Sequence, residues 1–196
     1  MSKNISLENL LNKNFNEIKY KDLESLTNLS DDEASNFFEY ISKFPLLEIL
    51  EIINKLVQIN DQESYLEYES IFKKFLSYPN DKIKISCLEG LIESEDRKLI
   101  KIFVKEMLEG ESIELRGKAA KALSGFCIMA FEKKLIISDS KLIFDSLFGI
   151  ISNISEPNSI RMNALESVSI FNHEAVDEYI LSAWNSAEFY SKKSSV

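Results

Sequence analysis

Cys87, Cys127 and His173 are the two cysteines and the one histidine of this chain, and they bound the chemistry open to it. A cysteine nucleophile needs a base within hydrogen-bond reach, and neither Cys87 nor Cys127 has a histidine near it in the sequence. Cys127, between Phe126 and Ile128, reads as a small buried hydrophobe. One histidine with no cysteine beside it makes a poor metal site. His173 precedes the acidic stretch Glu174 to Glu178 and reads as a surface or capping residue. The carboxylate pairs Asp31–Asp32 and Glu95–Asp96 stand at helix starts, where the helix dipole alone accounts for them. Phosphate-loop, dinucleotide and kinase glycine patterns are absent. The expectation is a protein without catalytic, cofactor-binding or metal-binding residues.

Charge offers more than nucleophiles do. In DRKLIKIFVKEML, Lys98, Lys101 and Lys105 are spaced i, i+3, i+7, so they should share one helix face, opposite Leu99, Ile102, Phe103 and Met107. They are the candidate partner-binding residues, and Lys73, Lys74, Lys133, Lys134 and Lys141 would extend a basic groove. Among 23 basic residues only Arg97, Arg116 and Arg161 are arginines. A lysine-rich, Ile- and Asn-rich composition fits AT-rich codons, so each arginine kept against that bias should do something lysine does less well.

The elements that position these residues must be helical. The 196 residues include only 5 Gly and 3 Pro, too few for phosphate loops or a hairpin-rich sheet, while 45% apolar residues suffice for a core. The net charge of −9 argues against nucleic acid and anionic membrane as partners. The start, MSKNISLENLLNK, has no apolar run resembling a signal peptide, and no window is apolar enough to span a bilayer. A cytoplasmic location is expected.

Ser30-Asp31-Asp32-Glu33 forms a capping box for a helix to about Lys43, with Phe37, Phe38 and Ile41 inward. Pro45 suits the start of the next helix, whose apolar face is Leu46, Leu47, Leu50, Ile53, Leu56 and Val57. Tyr65, Tyr68, Ile71, Phe72, Phe75 and Leu76 form another face. Further on, three segments align without gaps: Ile83 to Leu91 (IKISCLEGL), Leu115 to Leu123 (LRGKAAKAL) and Ile160 to Val168 (IRMNALESV). Each reads apolar, basic, two variable, small, small-or-Leu, two variable, aliphatic, and each follows a short loop. Cys87 occupies the small-residue slot. Second helices follow at about 96–108, 139–153 and 173–186. Residues 126–140 are an insertion, read as an extended first helix plus a loop.

These segments resemble HEAT repeats, especially the HEAT-like repeats of bacterial proteins, over about residues 46–186. The tetratricopeptide and ankyrin landmarks are missing. The resemblance implies an all-α, right-handed α-solenoid of about four HEAT-like hairpins (46–77, 80–108, 112–153, 157–186). An N-terminal helical cap (1–45) precedes the array at 46–190, and a disordered tail (191–196) follows. It implies that Lys84, Arg116 and Arg161 are the structural repeat signature, the arginines laddering to an acidic residue in the turn. Here the turns offer Ser77 and Tyr78, Glu109, and Ser155 and Glu156 where Asp is usual, so carbonyl capping should carry more of the ladder. Second helices of HEAT hairpins line the concave face, and the function so implied is a non-catalytic protein–protein interaction scaffold or adaptor with no cofactor. The alternatives are an enzyme-associated module, like the HEAT-like chains that act in bilin attachment, and a nucleic-acid-processing protein, which the net charge disfavours. Ile180, Leu181, Trp184, Phe189 and Tyr190 close the chain with an apolar end unlike a solenoid cap, suggesting a shortened array or self-association there.

Overall fold

The computed structural model describes residues 7–63, 65–171, 176–178 and 180–181. His173, Trp184, Phe189, Tyr190 and the tail at 191–196 lie outside the described residues, as does most of the last expected helix. Everything regular among the described residues is helical, with no strand. They fall into two compact units, one up to Ser94 and one from Glu95.

In the first unit a 3-10 turn, Phe15–Glu17, leads to α1 (Tyr20–Glu24), α2 (Asp31–Ile41), α3 (Leu46–Gln62), α4 (Glu69–Phe75) and α5 (Asp81–Gly90). The capping box at Ser30 forms: the Glu33 amide donates to the Ser30 hydroxyl, and the Ser30 amide donates to the Glu33 carboxylate at 2.9 Å. Asn80 caps α5 by accepting from the amides of Lys82 and Ile83. Packing joins alternate elements, and α4 also packs on the next helix, α5. Helix α1 lies on α3, α2 on α4, and α3 on α5. Phe37, Phe38 and Tyr78 surround Phe75 at ring-centroid distances of 6.3, 4.8 and 6.2 Å.

Two expected faces differ in detail. Helix α3 buries Ile49, Ile52, Ile53, Leu56, Val57 and Ile59, whereas Leu46 and Leu47 in its first turn are exposed. Leu47 is rotated by about 160° from Ile49 at 3.6 residues per turn, so it points away from the packed side. Tyr65 is exposed because α4 begins only at Glu69, leaving Tyr65 in a loop to which helical spacing does not apply.

Tyr68 is fully buried and its hydroxyl has no hydrogen-bond partner among the described residues. Burial, reinforced by the nearby Glu24 carboxylate, pushes its pKa up. A buried hydroxyl with no partner costs free energy that a phenyl ring does not. Tyr68→Phe is therefore expected to raise the unfolding free energy by about 1–2 kcal/mol, read from the urea midpoint.

The second unit contains α6 (Lys98–Glu109), α7 (Ile113–Ala122), α8 (Ser124–Phe131), α9 (Ile137–Ser152) and α10 (Asn158–Val168). Short loops join α6 to α7 and α9 to α10, and both pairs pack together. Across the pairs, α7 lies on α10 and α6 on α9, which makes two layers within this unit. The close approach of α7 and α10 uses Gly117, since a Cβ there would fall 2.8 Å from Asn163 Nδ2. Ser167 Oγ donates to the Ala120 carbonyl at 2.9 Å across the same contact.

Residues 126–140 do not extend the preceding helix. The chain turns at Leu123 into the separate α8, which packs on α9 and α10. Helix α8 ends in a Schellman motif: Lys134 N donates to Met129 O and Lys133 N to Ala130 O. Lys133 sits at φ 60°, the left-handed position where glycine is the usual choice. Lys133→Gly is expected to stabilise the protein by about 0.5–1 kcal/mol, seen as a raised thermal midpoint.

Candidate functional site

The thiols come first because they are the strongest potential nucleophiles. Cys87 and Cys127 are both buried and free. Burial pushes the Cys87 thiol far up and the Cys127 thiol up to about 12, so neither forms a thiolate near neutral pH. At pH 8 the folded chain is expected to leave both thiols unlabelled by iodoacetamide, and full labelling should require denaturant; fast labelling of the native chain would contradict their placement. Among the described residues no group of three His, Cys, Asp or Glu side chains is arranged to hold a metal ion. No described helix is long and apolar enough to cross a membrane.

The repeated segments share their buried positions. Ile83, Leu115 and Ile160 are fully buried, as are Cys87, Ala119 and Ala164 four residues on, and Leu91, Leu123 and Val168 eight residues on. Positions i, i+4 and i+8 make one stripe on each of α5, α7 and α10 and its C-cap. Lys84, Arg116 and Arg161, next to the first of these positions, are half-buried.

The two arginines use one device. Arg116 Nε donates to the Met107 carbonyl at 2.8 Å, and Arg161 Nε donates to the Ile151 carbonyl at 3.0 Å. Both acceptors lie in the last turn of the helix before the arginine, α6 and α9, where carbonyls have no partner within the helix. Arg116 Nη2 also donates to both oxygens of Glu156, at 2.7 and 2.8 Å. Glu156, in the turn before α10, thus ties that turn to α7. Arg97, outside the signature, pairs with Asp139 at 2.7 Å.

Lys98, Lys101 and Lys105 are all exposed on α6. The buried face of α6 is Leu99, Ile100, Phe103, Val104 and Met107. Ile102, expected among these, is instead 39% exposed. At 3.6 residues per turn Ile102 lies within about 40° of Lys98 and about 60° of Lys105, so it belongs to the lysine face. Leu108 is exposed as well. The outer surface of α6 is therefore a mixed strip, a row of three ammonium groups flanked by the aliphatic side chains of Ile102 and Leu108. Beside its N-terminal end an open hollow is lined by Glu95, Asp96, Arg97, Lys98, Lys101 and Asp139.

The other lysines named for a basic groove are differently placed. Lys73 is held by Glu69 one turn away, and Lys134 pairs with Glu132 at 2.7 Å. Lys133 and Lys141 are exposed. A feature without a sequence signal is a cavity of about 640 Å³ in the first unit, lined among others by Asp61, Glu67, Glu69, Glu89 and Glu93. Its acids come from three separate elements, so no single window shows them together. Within it Ser94 Oγ donates to Glu69 at 2.8 Å.

Comparison with protein-family models, with curated proteins and with solved structures finds no match for this chain.

Proposed function

We propose that the protein is a HEAT-like repeat protein that acts as a non-catalytic interaction scaffold, with Lys98, Lys101 and Lys105 on α6 in its partner-binding surface. The observation that carries the repeat reading is the shared architecture of α7 and α10. Both bury the same stripe, and both send an arginine Nε to a carbonyl at the end of the preceding helix. In such arrays each repeat spends one side on its neighbours and leaves another side free, and binding of protein partners ordinarily uses that free side. A right-handed stack of about four hairpins, with α6 on its concave face, is part of this proposal.

The test is capture from a native extract under physiological salt, with the retained proteins identified. A scaffold should retain a discrete protein in fixed proportion to the bait. Failure of the folded chain to retain anything beyond a denatured bait would overturn the reading.

A further inference from the structure

The charges on α6 run against the ones its own stability would favour. Helices gain from acidic residues in the first turn and basic residues in the last. Helix α6 has no acidic residue in its first turn and no basic residue in its last. Its lysines occupy the start and middle, at 98, 101 and 105, and its carboxylates, Glu106 and Glu109, both lie in the last turn. The start is capped from outside, where the Lys98 amide donates to Asp96 at 3.0 Å. The three lysines also differ from four basic side chains around them. Arg97, Arg116, Lys121 and Lys134 in the same unit are ion-paired, whereas the ammonium groups of Lys98, Lys101 and Lys105 make no ion pair among the described residues. A helix whose lysines lie against the local charge rule marks a surface kept for something else.

We infer that the outer strip of α6 docks an acidic amphipathic helix of a partner protein, whose carboxylates meet Lys98, Lys101 and Lys105 while an aliphatic side chain rests on Ile102. Charge complementarity selects an acidic partner. The exposed Ile102 along the edge of the lysine row selects an amphipathic partner over a uniformly charged one, because it gains only when an apolar group covers it. The lysines rise along α6 in steps of about 4.5 and 6 Å, the spacing of acidic residues at i, i+3 and i+7 on a facing helix. This inference rests on the scaffold reading above and adds the chemistry of the partner.

The full chain is titrated against a labelled synthetic helical peptide bearing Glu at i, i+3 and i+7 and Leu between them, followed by fluorescence anisotropy. Controls are a scrambled peptide of the same composition, oligo-dT, and phosphatidylserine vesicles. The triple variant Lys98→Glu, Lys101→Glu, Lys105→Glu should weaken peptide binding by about tenfold or more. Ile102→Ser should weaken it by about threefold to tenfold. A variant of equal charge change elsewhere, Lys21→Glu, Lys43→Glu, Lys82→Glu, should weaken it much less. The α6 triple variant should also melt at the same temperature or higher, because its new carboxylates suit the start of the helix. Equal binding of the scrambled peptide, preference for oligo-dT or vesicles, or equal loss in the two triple variants would each overturn the inference. If native capture survives the α6 variants, the inference falls and the scaffold reading stands. If capture itself fails, the scaffold reading falls.

Discussion

Phe103→Ala is expected to lower the unfolding free energy by about 3–5 kcal/mol, the largest loss foreseen for any single side chain of α6. Phe103 is fully buried and meets Phe126 of α8 edge-to-face, with ring centroids 5.9 Å apart. Truncation removes the transfer free energy of the ring, opens a cavity that packed neighbours cannot fill, and discards the aromatic pair. Phe103→Leu should cost less, about 1–1.5 kcal/mol, because most of the volume remains. The neighbouring Ile102→Ala serves as the contrast and should stay within about 0.5 kcal/mol, since Ile102 faces solvent. Urea unfolding followed by far-UV circular dichroism measures all three, with an unchanged m-value expected. A loss at Ile102 as large as that at Phe103 would mean that α6 is rotated from the orientation described.

That contrast also shows what could be read in the sequence and what could not. Helical class follows from the scarcity of glycine and proline and from 3.6-residue periodicity. The signature positions 83, 87 and 91, with their counterparts in α7 and α10, are buried as their alignment predicts. Assigning side chains to the core by type alone fails where the helix is short of partners or not yet begun. Ile102, Leu47 and Tyr65 are apolar or aromatic yet exposed, and rotation angle or helix start decides each case. The break at Leu123 is illegible for a related reason. The weak helix formers in the run from Ala119 to Phe131, Ser124 and Gly125, fall inside α8 rather than at the break, and α8 packs onto α9 and α10.

The candidate site divides in the same way. The lysine spacing is local, so Lys98, Lys101 and Lys105 can be placed on one face from sequence. The apolar component at Ile102 and Leu108 needs the buried face to be known first. The acid-lined cavity has no local pattern, because Asp61 ends α3, Glu67 and Glu69 flank the start of α4, and Glu89 and Glu93 flank the end of α5. The signature arginines sit between these extremes. Their slot is visible as a repeat, whereas their carbonyl acceptors in α6 and α9 are visible only in three dimensions.

Arg116→Ala is expected to cost about 2–3 kcal/mol, in the range for hydrogen bonds that involve a charged group. The side chains of Arg116 and Glu156 are only 18% and 17% exposed, so water compensates poorly for the lost partner. Removing the guanidinium strands a carboxylate in a partly dry setting and frees the Met107 carbonyl at the end of α6. Glu156→Ala should cost less, about 1 kcal/mol, because Arg116 keeps its bond to Met107. Arg116→Lys should recover only part of the loss, since one ammonium cannot reproduce a guanidinium fork that serves a carbonyl and a carboxylate together. The double variant is the decisive measurement: a coupling of about 1 kcal/mol or more in the cycle would place the stabilisation in the bridge itself. Lys121–Glu166, 4.0 Å apart with both partners largely exposed, provides the scale, and its cycle should return less than about 0.5 kcal/mol. Equal couplings for the two pairs would mean that Arg116 is ordinary surface charge, and the structural role of the signature slot would be lost with it.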